Sequence, residues 1–182
     1  MSRQMILWRR LDMPGHDACA LHLDAGQWHL QGAAVWGDRR GPARIGYDII
    51  CDQDWVARSA RLQGNVGGRA ISLSIRRGAG GEWRANGDEV PDSHRLMDLD
   101  LGFTPATNTI PLNRFGPHGG GDSAALWLDD GDWTLKPLHQ GYRLAPDGSW
   151  CYRSAETDFQ TTLTVNRHGF VTDYPGLWMQ ED

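Results

Sequence analysis

The stretch GYDIICDQDWVARSA at residues 46–60 returns later in the chain as GYRLAPDGSWCYRSA at residues 141–155. Seven of these fifteen positions are identical, whereas about one match is expected by chance at ordinary composition. In each copy an Asp-containing turn separates two short segments, which is typical of a β-hairpin. The identical pairs are Gly46 and Gly141, Tyr47 and Tyr142, Asp52 and Asp147, Trp55 and Trp150, Arg58 and Arg153, Ser59 and Ser154, and Ala60 and Ala155.

A second pair of matching segments lies upstream of the first, in the same order. GAAVWGD at 32–38 corresponds to SAALWLD at 123–129. Because a unit of this kind cannot bury its apolar face alone, two copies are expected to complete one core. We therefore predict one domain over residues 1–182, built from an internal duplication with copies at about 27–88 and 123–182 and a single-copy connector at about 89–122.

Strand signals dominate the rest of the chain. Ile71, Leu73 and Ile75 alternate with polar residues, and Phe159, Leu163 and Val165 do the same, as expected for half-buried strands. Gly- and Asp-rich turn signals separate such segments; they lie at 24–26, 78–81, 129–132, 146–149 and 168–169. The best helix candidate is short, at 89–96, and residues 113–122 resemble a loop. The pattern predicts a mainly β, antiparallel fold with few or no helices.

Composition excludes several classes of function. The 182 residues carry a net charge of −5, so the chain has no basic face for nucleic acid or anionic lipid. The apolar stretch near the N-terminus is too short for a signal peptide, and we expect neither membrane insertion nor a bound cofactor. Cys19, Cys51 and Cys151 are far apart in sequence, which is typical of free thiols in a cytoplasmic protein.

The connector carries a resemblance to a known family. MDLDLGFTPATNTIPLNRF at 97–115, together with ILWRRL at 6–11, the first hairpin, and GFVTDYPGLW at 169–178, resembles a bacterial family called "Putative glycolipid-binding", earlier known as a domain of unknown function. The resemblance implies a spiral β-roll and glycolipid binding, and it brings no catalytic residues. Asn113 stands where a basic residue is more usual, which argues against phosphate binding there.

Two carboxylates and two arginines are the candidate polar site. Asp98 and Asp100 lie two residues apart, so on a strand they share one face. Arg58 and Arg153 are placed by the same alternation on an apolar face, where a guanidinium must be paired or solvated. They could form structural ion pairs with Asp98 or Asp100, or bind an anion or sugar in a pocket. We expect at least one contact between these acids and these arginines.

The remaining candidates are aromatic or polar. Tyr47, Tyr142, Trp55 and Trp150 recur in both copies, so core packing and stacking on a sugar ring are both open. Thr107 and Asn108 belong to a polar stretch that could be a structural corner or a ligand clamp. The predicted ligand-binding residues are therefore Arg58, Arg153, Tyr47, Tyr142, Trp55, Trp150, Asp98, Asp100, Thr107 and Asn108.

No sequence motif supports an active site or a metal. HisGlyGlyGly at 118–121 resembles an oxyanion-hole motif, but the chain has no GxSxG nucleophile turn. The histidines lack metal-ligand spacing. We predict non-catalytic binding of an amphiphilic small molecule, for example a glycolipid, in or at the mouth of the roll. The alternatives are a hydrolase or isomerase using Asp98, Asp100 and a buried arginine, and a structural module without ligand.

Overall fold

The computed structural model describes residues 3–181, and within that range fifteen strands form one open sheet. The strands are β1 (Gln4–Arg10), β2 (Gly15–Asp24), β3 (Gln27–Asp38), β4 (Gly41–Cys51), β5 (Ala57–Val66), β6 (Arg69–Arg77), β7 (Trp83–Ala85), β8 (Asp88–Glu89), β9 (Asp98–Leu101), β10 (Gly120–Asp129), β11 (Thr134–Leu144), β12 (Trp150–Ser154), β13 (Phe159–Val165), β14 (Val171–Tyr174) and β15 (Trp178–Glu181).

The order of strands follows the chain with a single break. From one edge it runs β8 to β1 in reverse, then β15 back to β9. The first and last strands therefore pair in the middle of the sheet, with Arg10 opposite Trp178. Neighbouring strands are antiparallel except β9 and β10, which are parallel. This confirms the predicted mainly β, largely antiparallel fold. The single domain over 1–182 stays a prediction, and residues 1–2 and 182 lie outside the described range.

The helix prediction at 89–96 is wrong, because that segment forms turns after β8. The α-helix α1 is Thr109–Phe115, preceded by a 3-10 helix at Pro105–Asn108 and followed by another at Gly116–His118. Pro111 lies in the first turn of α1, where a missing N–H costs little. The predicted loop at 113–122 therefore contains the end of α1 and the start of β10. No helix among residues 3–181 is long and apolar enough to span a membrane.

The middle of the connector lies in the core. Residues 105–112 are all buried, and they pack on the inward face of the strands. Alternating residues of those strands supply the rest of the core. The fully buried ones include Leu30, Ile45, Ile49, Leu62, Ile75 and Leu163. Trp8 is also fully buried, and its indole Nε1 donates to the carbonyl of Val171 at 2.6 Å.

Each predicted repeat begins with a four-stranded antiparallel meander, β3–β6 in the first copy and β10–β13 in the second. The matched residues, however, do not take the same positions in their two hairpins. The first turn is closed by the amide of Asp52 donating to Val56, and the second by the amide of Ala145 donating to Ser149. The turns are therefore displaced by two residues relative to the sequence match. Trp55 lies within its turn, with a φ of 61°, whereas Trp150 begins β12. The duplication itself stays a prediction.

The prediction that Arg58 and Arg153 face the interior is wrong. Ile50 pairs with Ser59 but Cys51 pairs with Ala57, so Arg58 is the extra residue of a β-bulge, which turns its side chain outward. Its side chain is 45% exposed and binds Asp52, 2.5 Å from Nη2 to Oδ2. Arg153 does share a face with Cys151, but that face is the outer one, and its side chain is 71% exposed.

Candidate functional site

A pocket of about 320 Å³ lies where the connector meets the ends of several strands. Two carboxylates line it, from Asp100 and Asp130, and its other lining residues are uncharged. We call it the acidic pocket. Its aromatic lining residues are Trp127, Tyr152, Phe159, Tyr174 and Trp178. Acids and aromatic rings that are distant in sequence therefore share one concave surface, which is the usual character of a small-molecule site.

Strand register brings these side chains together. Asp100 on β9 is opposite Trp127 on β10, and Tyr174 on β14 is opposite Trp178 on β15. Gly102 follows β9 directly, and its lack of a side chain leaves room for the side chains of Trp127 and Asp130. A Cβ at Gly102 would lie 2.9 Å from Asp130 Oδ1 and 3.0 Å from Trp127 Nε1, which is too close for an ordinary contact. The glycine therefore allows Asp130 and Trp127 to pack directly on the backbone at this side of the pocket.

Asp100 is the central polar group. Gln140 Nε2 donates to Asp100 Oδ2 at 2.8 Å and contacts the hydroxyl of Tyr152 at 2.9 Å. Burial raises the pKa of Asp100 to about 6, and the charges of Asp130 and Asp98 add to the effect, while the bond from Gln140 opposes it. Burial also raises the pKa of Asp130, opposed by the charge of Arg10. The pocket is thus acidic, and no cationic side chain among its lining residues compensates the charges of Asp100 and Asp130.

The aromatic wall is a packed group of rings. The centroids of Tyr152 and Tyr174 are 6.0 Å apart, and Phe159 lies 6.3 Å from Tyr152 and 6.1 Å from Tyr174. Arg10 contacts Trp178, with its guanidinium carbon 5.3 Å from the ring centroid. Because these rings support one another, the wall is pre-formed and needs little reorganisation to accept a ligand.

Of the predicted site residues, Asp100 and Asn108 line the acidic pocket. Asn108 Nδ2 also donates to the hydroxyl of Tyr142 at 3.0 Å. Tyr142 is fully buried, and its ring lies 5.1 Å from that of Tyr152. It therefore stands behind the pocket wall and supports it.

Asp98 shares a strand face with Asp100 but has a different role. Arg114 on α1 binds both of its oxygens, with Nη1 and Nη2 each at 2.5 Å, and the hydroxyl of Ser123 donates to the same carboxylate. The expected contact of Asp98 or Asp100 with Arg58 or Arg153 is therefore wrong: the partner of Asp98 is Arg114. Arg114 also donates to the carbonyl of Trp55 at 3.1 Å, which ties the connector to the first hairpin.

Tyr47 belongs to a separate buried cluster. Its hydroxyl donates to Asp17 Oδ2 at 2.8 Å, and Thr104 donates to the same oxygen. Asp17 is fully buried, and its Oδ1 has no hydrogen-bond partner. Burial raises the pKa of Asp17 to about 6, against the bonds from Thr104 and Tyr47. Tyr47 therefore fixes β4 to β2 and the connector, and does not face the acidic pocket.

The other predicted residues have structural surroundings. Thr107 is buried, and its Oγ1 accepts from the amide of Leu101 at 3.3 Å, so the corner interpretation fits it. Trp150 is buried in the core. Trp55 stacks on Trp28 with ring centroids 4.6 Å apart. Both rings line a groove of about 460 Å³ that also includes His168. That groove lies near Gln4 at the start of β1, whereas the acidic pocket lies near its end.

Sequence reasoning missed Arg114, Asp17, Asp130 and all five residues of the aromatic wall. Arg114 lies in the connector segment 97–115 that carries the family resemblance, and that position was a usable signal. Asp17 is a second usable signal, because it is an acidic residue in line with the apolar residues of an alternating strand. Asp130 and the wall carry no local signal, because only long-range strand pairing brings them together. Among residues 3–181 no three His, Cys, Asp or Glu side chains are arranged to hold a metal ion.

Two of three comparisons with known proteins found similar chains. A family model described as "Putative glycolipid-binding" matches residues 5–180. A crystal structure of a DUF1089 family protein from Pseudomonas aeruginosa is similar, with a TM-score of 0.76 and 27% identity, covering 90% of this chain and 91% of that one. The search of curated proteins found no match.

Proposed function

This chain belongs to the family whose model matches residues 5–180, described as "Putative glycolipid-binding", and on that premise we propose that it binds the headgroup of an amphiphilic small molecule in the acidic pocket without transforming it. One observation carries the proposal: the carboxylates of Asp100 and Asp130 share a pocket with five aromatic rings. Aromatic faces stack on sugar rings, and carboxylates accept hydrogen bonds from hydroxyl groups.

The size of the pocket decides which part of the ligand enters. A volume of about 320 Å³ is near the lower end of the roughly 300–1,000 Å³ of small-molecule sites. It suits one sugar-sized headgroup and not a whole lipid. The connector fills the interior beyond it, with residues 105–112 all buried. The apolar tail of the ligand would therefore lie at the mouth of the roll. Of the two predicted places for the ligand, inside the roll or at its mouth, the mouth is favoured.

Binding of n-octyl β-D-glucoside below its micellar concentration tests the proposal. Titration calorimetry should show saturable binding, and free octanol at the same concentration should not reproduce it. Trp127→Ala should weaken binding at least about tenfold, because it removes a wall of the pocket. Trp28→Ala is the matched control, since Trp28 lies in the other groove, and it should bind like the parent. No binding, or equal loss in both variants, would contradict the proposal.

A glycoside hydrolase is the second candidate, favoured by one observation. Asp100, with a pKa raised to about 6, has the second carboxylate of Asp130 in the same pocket, and such pairs perform acid–base hydrolysis of glycosides. Asp98, which the sequence suggested for this role, is occupied by Arg114. Incubation with nitrophenyl glycosides separates the candidates. We expect binding without release of nitrophenol; release that disappears in Asp100→Asn would favour the enzyme.

We also propose the cytoplasm as the compartment. Cys19 and Cys51 are buried free thiols, and Cys151 is an exposed one. An exposed free thiol is typical of a reducing environment.

A further inference from the structure

We propose that the acidic pocket selects a headgroup that carries a positive charge, such as an amino sugar, over neutral and anionic headgroups. This inference rests on the proposed function, and it names the chemical class of ligand for the same site.

The charge of the lining carries the argument. Asp100 and Asp130 bring two carboxylates, and no Lys, Arg or His lines the pocket. The hydrogen bond that Asp100 accepts comes from Gln140, an uncharged amide. A ligand that brings an ammonium group would supply the missing counter-charge. A phosphate, sulfate or carboxylate would have to be desolvated beside two like charges, which is strongly unfavourable.

Arg10 compensates the charge of Asp130 in part and does not compensate that of Asp100. Arg10 Nη2 lies 3.9 Å from Asp130 Oδ2, but Arg10 donates to both oxygens of Asp12 at 2.8 and 3.2 Å. Its guanidinium carbon also lies 5.9 Å from the ring centroid of Trp36 and 5.3 Å from that of Trp178. Arg10 therefore belongs chiefly to Asp12, and Asp100 has no cationic partner of its own.

The aromatic wall favours the same ligand class. Ring faces attract cations, and the attraction is strongest where water is excluded. Tyr152, Phe159 and Tyr174 present such a wall next to Asp100. A protonated amine on a sugar ring could contact a carboxylate while the ring stacks on an aromatic face. Neutral sugars gain the stacking and the hydrogen bonds but not the charge compensation.

The ionisation of Asp100 gives the inference a pH signature. Binding of a cation favours the ionised carboxylate, so affinity should rise as the pH increases through about 6, the pKa of Asp100. The opposite sign holds for an anionic ligand. The titratable and charged groups around Asp100 are Asp98 on its own strand, Asp130 in the turn after β10, Tyr142 on β11, Tyr152 on β12, Tyr174 on β14 and, through Asp130, Arg10 on β1.

Three amphiphiles that differ only at carbon 6 of the sugar test the inference. They are n-octyl β-D-glucoside, its 6-amino-6-deoxy analogue and n-octyl β-D-glucuronide. A fourth, octyltrimethylammonium, carries the charge without a sugar. Calorimetry at pH 7.5 should show at least one cationic amphiphile binding about tenfold tighter than the glucoside, and the glucuronide binding weakest. At pH 5 the cationic affinity should fall about tenfold, because Asp100 is then mostly protonated.

Charge-removing variants identify the group responsible. Asp100→Asn should bring the ratio of the cationic to the glucoside affinity close to one, whatever its effect on the glucoside affinity itself; Asp130→Asn is a second variant if Asp100→Asn does not fold. Asp132→Asn is the matched control, because Asp132 loses the same charge outside the pocket, in an exposed pair with Lys136, and it should keep the preference. If the glucoside or the glucuronide binds as tightly as both cationic amphiphiles, the inference is overturned while the proposed function stands. If none of the four binds, the proposed function fails as well.

Discussion

Breaking the ion pair between Asp98 and Arg114 should destabilise the whole roll. The side chain of Asp98 is 1% exposed and that of Arg114 is 16% exposed, so neither charge is well solvated when its partner is removed. In Arg114→Met the buried carboxylate keeps only the hydroxyl of Ser123. Removal of one partner of a buried pair costs about 3–5 kcal/mol, and we expect a loss of that size. The carbonyl of Trp55 also loses its donor.

Replacing both partners should cost less than replacing one. In Asp98→Leu/Arg114→Met no buried charge is left alone, and apolar side chains of similar size commonly substitute for such a pair at little or no cost. We expect the double variant to be more stable than Arg114→Met by about 2 kcal/mol or more, which is a strong coupling in a double-mutant cycle.

The assay is urea unfolding followed by tryptophan fluorescence and circular dichroism, with the free energy of unfolding extrapolated to water. Arg58→Met is the control, because Arg58 forms an arginine–aspartate pair at the surface and such pairs contribute about 1 kcal/mol or less. A loss in Arg114→Met no larger than in Arg58→Met, or strictly additive losses in the double variant, would refute the reasoning.

Three further predictions concern the buried carboxylate of Asp17, the three cysteines, and Gly102 in the pocket wall. Burial raises the pKa of Asp17 from 3.8 to about 6, so its ionisation destabilises the fold by up to about 3 kcal/mol as the pH rises from 4 to above 6. In Asp17→Asn, the free energy of unfolding in urea should lose that part of its change between pH 4.5 and 7.5. If the change is the same as in the parent protein, Asp17 is not the group responsible. Thiol titration of the native, unreduced protein should find Cys151 alone, because burial shields the Cys19 and Cys51 thiols and raises their pKa. After denaturation the titration should find all three cysteines. A single thiol in the denatured protein would indicate a disulfide. Gly102→Val should weaken octyl glucoside binding at least about tenfold, because its side chain would displace Asp130 and Trp127 from the pocket wall; calorimetry showing parent affinity would place the ligand elsewhere.

The fold could be predicted because its signals are local. Alternation in segments such as Ile71–Ile75 fixes which side chains face the core, and Gly- and Asp-rich turns fix where strands end. The same reasoning failed at Arg58, because a single bulge residue reverses the face of a side chain and leaves no mark in the alternation. It failed at α1 because Pro111 lies in the first turn of that helix, where proline is tolerated, while Pro91 lies among turns.

The site was predictable in part. Asp100 and Asn108 were found because they lie in the specific single-copy stretch. Their pocket partners come from β10 to β15, and no sequence spacing relates Asp130 to Tyr174. Asp98 and Asp100 share a strand face, so the same role was predicted for both. In the structure their side chains have different surroundings. Arg114 covers Asp98, and the pocket opens beside Asp100.

The most direct test of the central claim uses the nine tryptophans of the chain. Their indole N–H resonances, assigned with single Trp→Phe variants, can be followed by NMR during titration with n-octyl 6-amino-6-deoxy-β-D-glucoside and with n-octyl β-D-glucoside. A headgroup in the acidic pocket should shift the resonances of Trp127 and Trp178, which line it, and leave those of Trp28 and Trp55 in the other groove unchanged. Saturable shifts at Trp28 and Trp55 without shifts at Trp127 and Trp178 would contradict the account.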